Sequence, residues 1–324
     1  MSAPGRGGRR ILVTAATSSL GRGFCQDLYA DLEHVDHVFA VAEQEDLPYY
    51  FRDLHRDRFT YWSANLLKER HLKDLFLAER FRAQGIDQIV HFGFLRTTKL
   101  LRVPPGEAVE GTRRLLEFAQ ASGIEHLVYL SGCLVYRLRP WTSAVLDEQA
   151  ELDFDPESDA WIRARVDADL LCRTFLDQDR PRVTVVRPGP IIGRNVSSHL
   201  DDLLDGYLVT TLAGFDPMIR PIHSSDVLKA IHRCVDARPQ GVFNVAGPDV
   251  APLSVFARLT GRPTVALPGV ALRPVNRLQR LLGLTTCDLS TLPNWLRYPC
   301  VLDTTKIEEK LDFRATHHIK FGES

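Results

Sequence analysis

Residues 11–21, ILVTAATSSLG, pass from a short apolar run into small residues and end at a single glycine, Gly21. The apolar run is typical of a buried strand, and the residues that follow have the spacing of a helix. A turn of small residues between a strand and a helix can bring backbone N–H groups and the positive helix end to a phosphate. The stretch therefore predicts a dinucleotide-binding loop, in which Thr17, Ser18 and Ser19 could add hydroxyl donors.

Alternating strands and helices are expected to position this loop. Strand-like runs are followed by helical patterns through the first two thirds of the chain, including one helical pattern from 69 to 85 that ends at a glycine. This alternation predicts parallel βαβ units, and hence an α/β fold with a Rossmann-type doubly wound parallel sheet. We expect a flexible basic tail at 1–9, a dinucleotide-binding domain at 10–190, and a smaller, interleaved α/β substrate region at 191–324.

Composition excludes several classes of function. The chain has 324 residues and a net charge of −1, so no global field attracts it to nucleic acid or to an anionic membrane. There is no run of about 18 apolar residues and no signal-peptide core, which predicts a cytoplasmic protein without nucleic-acid or membrane partners. Its six cysteines lack zinc spacing, which favours buried thiols and predicts no metal site.

Nine segments follow one another along the chain: ILVTAATSSLG, SANL, DQIVHFGF, VEGTRRLLEFA, HLVYLSGCLVY, VTVVRPGPIIGR, PIHSSDVLKAI, GVFNVAGP and DTTKIEEKLDF. In this order they resemble the extended short-chain dehydrogenase/reductase family of NAD-dependent epimerases and dehydratases. The resemblance implies a bound NAD or NADP, a Tyr-x-x-x-Lys pair on a long helix, and a Ser from the strand before it. In the family, Tyr is the general acid or base, Lys binds the nicotinamide ribose and lowers the pKa of Tyr, and Ser shares the substrate hydrogen bond.

Other residues stand at the positions of this catalytic set. Trp161 replaces Tyr, Arg165 replaces Lys, Gly132 replaces Ser, and Ala108 replaces a structural Asn. An indole N–H is a donor only and does not ionise in the working range, and a guanidinium stays charged. No Tyr-x-x-x-Lys occurs elsewhere in the chain. The resemblance therefore implies that the chain has no catalytic residue of the family reaction, although Arg165 could still contact ribose hydroxyls or phosphate.

The phosphate loop is also altered. The family pattern T-G-x-x-G-x-x-G has Ala15 and Ser18 at its first two glycines and keeps only Gly21. The lost positions serve the tight turn and the approach of the pyrophosphate, whereas the third glycine lets the helix pack close to the strand. The resemblance implies NAD or NADP bound weakly, or a cleft that is empty or differently filled.

The resemblance also assigns a set of cofactor positions: Thr14, Ala16, Thr17, Ser18, Ser19, Leu20, Gly21, Glu43, Asn65, Leu66, Phe92, Gly93, Arg96, Arg165, Pro188 and Ile191. Glu43 could accept hydrogen bonds from the adenine ribose, which would favour NAD over NADP, or it could be an exposed acid at a strand end. The helices at 106–122 and 161–176 normally form the family's dimer interface, which implies a homodimer.

Other chemistry could have moved into the region after the sixth strand. His199, Asp201 and Asp202 lie in an expected substrate loop, where they could form a new acid–base set or be merely solvated. The arginines near the expected substrate mouth suggest an anionic ligand; they are Arg187, Arg194 and Arg220. Asp226 is predicted to cap a helix.

Three functions follow from these residues. The first is a divergent family member that has lost the redox chemistry and serves as a nucleotide-binding or partner-binding sensor or scaffold, a pseudoenzyme. The second is a divergent NAD(P)-dependent oxidoreductase or epimerase that uses a relocated acid–base set on a nucleotide sugar or another small hydroxylated or carbonyl substrate. The third is a structural subunit whose cleft binds nothing. Whether the chain is an enzyme stays open at this point.

Overall fold

The computed structural model describes residues 8–320, except residues 32, 56, 94–103, 194, 195, 197, 286, 290, 291 and 293. The strands in this part of the chain are β1 (Arg9–Val13), β2 (Val35–Ala42), β3 (Phe59–Ser63), β4 (Gln88–His91), β5 (His126–Leu130), β6 (Val145–Leu146), β7 (Arg182–Pro188), β8 (Ile191–Ile192), β9 (Val209–Leu212), β10 (Met218–Ile219), β11 (Ile222–His223), β12 (Gly241–Val245), β13 (Ala251–Pro252), β14 (Thr264–Leu267) and β15 (Val301–Leu302). The α-helices are α1 (Ser19–Ala30), α2 (Glu69–Leu77), α3 (Glu79–Gln84), α4 (Pro105–Ala121), α5 (Ala160–Arg173), α6 (His199–Leu204), α7 (Ser224–Ala237), α8 (Leu253–Leu259), α9 (Gly269–Leu281) and α10 (Thr305–Leu311).

Seven strands form one sheet in the order β12-β7-β5-β4-β1-β2-β3. The pairs β1–β2, β2–β3, β1–β4 and β4–β5 are parallel. The chain leaves β1 toward β2 and β3, then returns to the other side of β1 with β4, so strand order reverses there. This reversal is the switch point at which doubly wound sheets bind ligands. The Rossmann-type α/β fold predicted from the sequence is confirmed.

The strands near the switch point are buried because helices cover the sheet. Ile11, Leu12 and Val13 of β1 are fully inaccessible to solvent. Continuous apolar runs of this kind are typical of parallel strands with two covered faces. The core therefore fixes β1 rigidly, and with it the turn that follows at residue 14.

The helix predicted from 69 to 85 is two helices, because Ala78 interrupts it with an extended ψ of 130°. Phe76 and Phe81 flank the break and pack edge to face, with ring centroids 4.9 Å apart. A continuous helix would turn these rings about 140° apart, so the break lets both enter the core. Gly85 ends α3 in the left-handed conformation, as predicted, with φ of 57°.

The chain forms two compact units, each made of several segments. The first unit comprises Met1–Leu130, Asp167–Val185 and Cys234–Gly241 and contains β1–β5 and α1–α4. The second comprises Ser131–Val166, Val186–Arg233 and Val242–Ser324 and contains four two-stranded sheets, α6 and α8–α10. The functional division predicted at residue 190 stays a prediction.

All six cysteines are free and buried, as the sequence indicated. Across the described ranges, no helix combines the length and apolar character that a membrane crossing requires. In the same ranges, no group of three or more His, Cys, Asp or Glu side chains is arranged to hold a metal ion.

Candidate functional site

The turn after β1 keeps a left-handed residue at a position where the glycine has been lost. Ala15 has φ of 47°, a conformation that costs a residue with a Cβ about 1–2 kcal/mol. Its carbonyl accepts the N–H of Ser18 at 2.9 Å, and the N–H of Ala16 donates to the Val41 carbonyl at 3.0 Å. These hydrogen bonds hold the tight turn in place although alanine adopts it less readily than glycine.

Close packing requires the glycine that remains. A Cβ on Gly21 would lie 2.2 Å from the carbonyl oxygen of Ala15 and 2.9 Å from Oγ of Ser18. Helix α1 begins at Ser19, and Ser18 caps it because Ser18 Oγ accepts the N–H of Gly21 at 3.0 Å. Ser18 therefore stabilises the helix end, a role that its place in the loop pattern did not reveal.

The start of α1 can still accept an anion. The N–H groups of Ser19 and Leu20 lie in the first turn, where a helix offers no internal acceptor. Together with the positive end of the helix dipole, such groups bind phosphate oxygens. The side chains of Ala16 and Leu20 are buried, so these two residues could offer only their backbone, whereas Thr17 and Ser19 are half-buried.

Thr14 is held by a buried hydrogen-bond chain. Its Oγ1 lies 2.8 Å from Nδ1 of His91, and Nε2 of His91 lies 3.3 Å from Oγ1 of Thr112. Thr112 donates its proton to the Ala108 carbonyl at 3.0 Å, so it accepts from His91, and His91 in turn accepts from Thr14. Burial lowers the pKa of His91 to about 3. His91 is thus a neutral structural residue that ties β1 to β4 and α4.

The residues expected near an adenosine follow β2 and β3. Glu43 is exposed directly after β2, and Leu66 is buried. Asn65 builds its own turn: Oδ1 accepts the N–H of Leu67 at 2.8 Å, and its backbone N–H donates to Nδ1 of His71 at 3.0 Å. His71 is a positioning residue that the sequence pattern missed, since nothing in its spacing links it to the Asn65 turn.

The two residues that follow β4, Phe92 and Gly93, are enclosed by the core. Phe92 is fully buried and packs edge to face on Phe24, with ring centroids 5.7 Å apart. Gly93 takes a left-handed φ of 68°. Phe92 can therefore present only its backbone to a ligand. Arg96 lies outside the described residues.

Three of the four positions of the family's catalytic set, those at Gly132, Trp161 and Arg165, belong to the second unit, and the fourth, Ala108, belongs to the first. Trp161 and Arg165 are one turn apart on α5 and share a face of the helix. A Cβ on Gly132 would lie 3.8 Å from Nη1 of Arg165 and would meet no closer atom. Gly132 has an extended φ of 172°, so its backbone would admit a serine. The guanidinium thus lies beside the place of the missing hydroxyl, and packing does not force its absence.

Pro188 and Ile191 lie on either side of a place where two backbone segments pass close to each other. Pro188 is the buried last residue of β7, and Ile191 begins β8, which pairs with β11. A Cβ on the intervening Gly189 would lie 2.3 Å from the carbonyl oxygen of Arg220. This segment keeps its shape through packing within the second unit.

The expected substrate loop folds instead as the short helix α6. Ser198 caps α6 by accepting the N–H of Asp201 at 3.0 Å. His199 and Asp201 are two residues apart on this helix, so their side chains diverge by about 160°. The sequence offered them as one acid–base set, but the helix separates them.

The pKa values of these two side chains are also shifted in opposite directions. Burial, and then the positive charge of Arg165, lowers the pKa of His199 to about 3. Its ring packs edge to face on Trp295 at 4.7 Å. Burial, and then the negative charges of Asp205 and Asp202, raises the pKa of Asp201 to about 7. Of these two side chains, Asp201 is the one that could exchange a proton near neutral pH.

The arginines expected at a substrate mouth bind other parts of the protein. Arg187 is fully buried and donates to Tyr136 Oη at 3.0 Å and to the Glu148 carbonyl at 3.3 Å. Arg220 donates to the carbonyls of Gly247 at 2.7 Å and Leu302 at 2.8 Å. The expectation that Arg187 faces an anionic ligand is therefore wrong. Arg194 lies outside the described residues.

Asp226 was expected to cap α7, but the helix begins two residues earlier, at Ser224, so Asp226 lies inside its first turn. Its buried carboxylate accepts the N–H groups of Thr316 at 2.9 Å and His317 at 2.8 Å, and it lies 2.7 Å from Nδ1 of His317. Asp226 therefore anchors the C-terminal segment of the second unit.

A family model supplies the identification. The model described as the NAD dependent epimerase/dehydratase family matches residues 11–246, a range that includes the turn at Ala15 and the Trp161–Arg165 face. The chain belongs to this family. Among the relatives of this epimerase/dehydratase-family chain, an uncharacterized protein of Mycobacterium tuberculosis is 26% identical over 316 residues, which cover 94% of this chain and 79% of the relative.

Solved structures share the fold of this epimerase/dehydratase-family chain. The dTDP-glucose 4,6-dehydratase DesIV of Streptomyces venezuelae, with NAD and TYD bound, has a TM-score of 0.67 and 19% identity, covering 96% of this chain and 93% of its own. MoeE5 in complex with UDP-glucuronic acid and NAD has a TM-score of 0.65 and 18% identity, covering 95% and 94%. At these identities the similarity shows the fold alone.

Proposed function

We propose that this chain binds a dinucleotide, NAD in preference to NADP, without carrying out the redox reaction of its family, and that it acts as a nucleotide-binding sensor or scaffold. The observation that carries the proposal is the face formed by Trp161, Arg165 and Gly132. Hydride removal from a carbinol carbon requires a group that takes the hydroxyl proton in the transition state. Indole and guanidinium do not take it at working pH.

The first unit supports the binding half of the proposal. The left-handed turn at Ala15, the contact that requires Gly21, and the open N–H groups at the start of α1 form the shape that a pyrophosphate needs. Glu43 is exposed after β2, where a carboxylate would favour a free ribose hydroxyl and repel a 2′-phosphate. NAD is bound in the DesIV and MoeE5 structures, and a nucleotide of this class fits the features kept here. The cytoplasmic location and the homodimer stay predictions from the sequence.

One observation favours a second function. Asp201 has a pKa raised to about 7, a value suited to proton transfer near neutral pH. The alternative is therefore a divergent oxidoreductase or epimerase in which Asp201 replaces the lost Tyr, acting on a nucleotide sugar or another small hydroxylated substrate.

Thermal unfolding with each of NAD, NADH, NADP and NADPH tests the binding half, because a ligand that binds only the folded state raises its stability. We expect NAD to give the largest shift. Thr17→Glu, which places a negative charge at the start of α1, is expected to abolish the shift, and Thr17→Ser is the matched control. The absence of a shift with all four dinucleotides would contradict this half.

Nicotinamide absorbance and product analysis test the redox half. The protein is incubated with NAD and UDP-glucuronic acid, reduced nicotinamide is followed by absorbance, and the sugar is analysed for a changed configuration or the loss of water. We expect no reduced nicotinamide and an unchanged sugar. Turnover that disappears in Asp201→Asn and persists in Asp202→Asn would establish the alternative instead.

A further inference from the structure

The segment from Val250 to Cys287 has a charge unlike that of the whole chain. It contains five arginines and no lysine, aspartate or glutamate, which gives a formal charge of +5 in a chain whose net charge is −1. Arg262 pairs with Asp205, and Arg280 pairs with Asp288. Within the described ranges, no carboxylate pairs with Arg273 or Arg277, and both side chains are exposed.

The inward face of α9 in this segment is mostly polar. Leu272, Asn276 and Gln279 are its buried residues. The amide of Asn276 donates to the Cys287 carbonyl at 3.1 Å and accepts the N–H of Leu289 at 3.0 Å. Gln279 donates to Oγ1 of Thr210 at 3.1 Å. These hydrogen bonds anchor the helix and satisfy its buried polar groups.

The outward face of α9 carries aliphatic side chains between its arginines, which departs from the usual arrangement of a surface helix. Val270 is 92% exposed, Leu278 is 55% exposed and Leu281 is 78% exposed. With Pro274 they stand at i, i+4, i+8 and i+11, so they line one side of the helix. We define the α9 outer face as the residues on this side, namely Val270, Arg273, Pro274, Arg277, Leu278 and Leu281.

We propose that the α9 outer face docks on the surface of a membrane that contains anionic lipids. A helix that turns aliphatic side chains outward between arginines has the composition of an interfacial helix. Its leucines would enter the boundary between headgroups and acyl chains, and Arg273 and Arg277 would keep their guanidinium groups at the lipid phosphates. This mode of binding needs no membrane-spanning helix.

Two other occupants fit less well. A second copy docked by the same face would form a two-fold contact, which would place Arg273 and Arg277 against like charges. The core of a protein–protein interface is enriched in aromatic side chains, and the α9 outer face has none. Arg273 and Arg277, which would repel a second copy, are complementary in charge to an anionic lipid surface.

Vesicle flotation tests the proposal. The full chain is mixed with vesicles of phosphatidylcholine alone or of equal parts phosphatidylcholine and phosphatidylglycerol, and the floating fraction is measured. We expect binding only to vesicles with phosphatidylglycerol, weakened by added salt. Each of the two arginines contributes about equally to the attraction by anionic lipid. Arg273→Gln with Arg277→Gln is therefore expected to weaken partition into the vesicles about 30-fold.

A second variant tests the apolar contribution. Leu278→Ser with Leu281→Ser is expected to weaken partition at least about tenfold. The matched control is Leu77→Ser with Arg80→Gln, an exposed leucine and an exposed arginine in the first unit, which should leave binding unchanged. Circular dichroism checks that each variant is folded. Failure to float with phosphatidylglycerol, or equal flotation of all variants, would overturn the proposal, and dimerisation through this face would replace it.

Discussion

Replacing Ala15 with glycine is expected to stabilise the protein. Ala15 holds φ of 47°, and the left-handed region costs a residue with a Cβ about 1–2 kcal/mol. Glycine avoids this cost but adds freedom to the unfolded chain, which offsets about 0.4–1 kcal/mol of the gain. The half-buried Ala15 methyl group contributes little packing. The free energy of unfolding should therefore rise by about 0.8 kcal/mol in Ala15→Gly.

Urea and thermal unfolding measure this change, and the melting temperature should rise by about 2 °C. Asp312 supplies the control, because it is exposed at the end of α10 and has the same φ of 47°. Asp312→Gly should give a similar gain in stability, but only Ala15→Gly should alter the thermal shift produced by NAD. If Ala15→Gly lowers the free energy of unfolding while Asp312→Gly raises it, the strain assigned to the turn is refuted.

Three further perturbations have defined outcomes. Gly21→Ala places a Cβ 2.2 Å from the Ala15 carbonyl oxygen, so urea unfolding should show a loss of about 3 kcal/mol. Asp201 has a folded pKa of about 7 against an ordinary value of 3.8, so the folded state holds a proton that the unfolded state releases, and stability falls as pH rises between these values. Asp201→Asn should therefore melt above the wild type at pH values beyond the folded pKa, with the difference shrinking toward acid pH. Asp226→Ala leaves the backbone of His317 without its acceptor and should cost about 3 kcal/mol, with faster hydrogen exchange in the C-terminal segment.

The sheet could be predicted because its signals are local and strong. Apolar runs such as Ile11–Val13 alternate with amphipathic helices, and this alternation leaves few topologies open. The break at Ala78 could not be predicted, because it depends on how Phe76 and Phe81 share the core. Helix α9 escaped notice for a related reason: two of its three buried residues, Asn276 and Gln279, are polar, whereas Val270, Leu278 and Leu281 are exposed, so hydrophobic periodicity points the wrong way.

At the candidate site, the types of the residues were more informative than their spacing. The substitutions at Trp161 and Arg165 are visible in the sequence, but the guanidinium's position beside Gly132 depends on how residues distant along the chain pack together. His199 and Asp201 had suitable types and close spacing. The unpredicted helix α6 turned them apart, and burial then shifted their pKa values in opposite directions.

Single-turnover mixing of the protein with NAD and UDP-glucuronic acid, at protein concentrations equal to the ligands, tests the central claim most directly. Reduced nicotinamide is followed by absorbance while a parallel thermal melt reports whether NAD is bound. The account predicts a stabilised protein in which no reduced nicotinamide forms, either in the wild type or in Arg165→Ala. Reduced nicotinamide that forms in the wild type and is lost in Arg165→Ala or Trp161→Phe would contradict it.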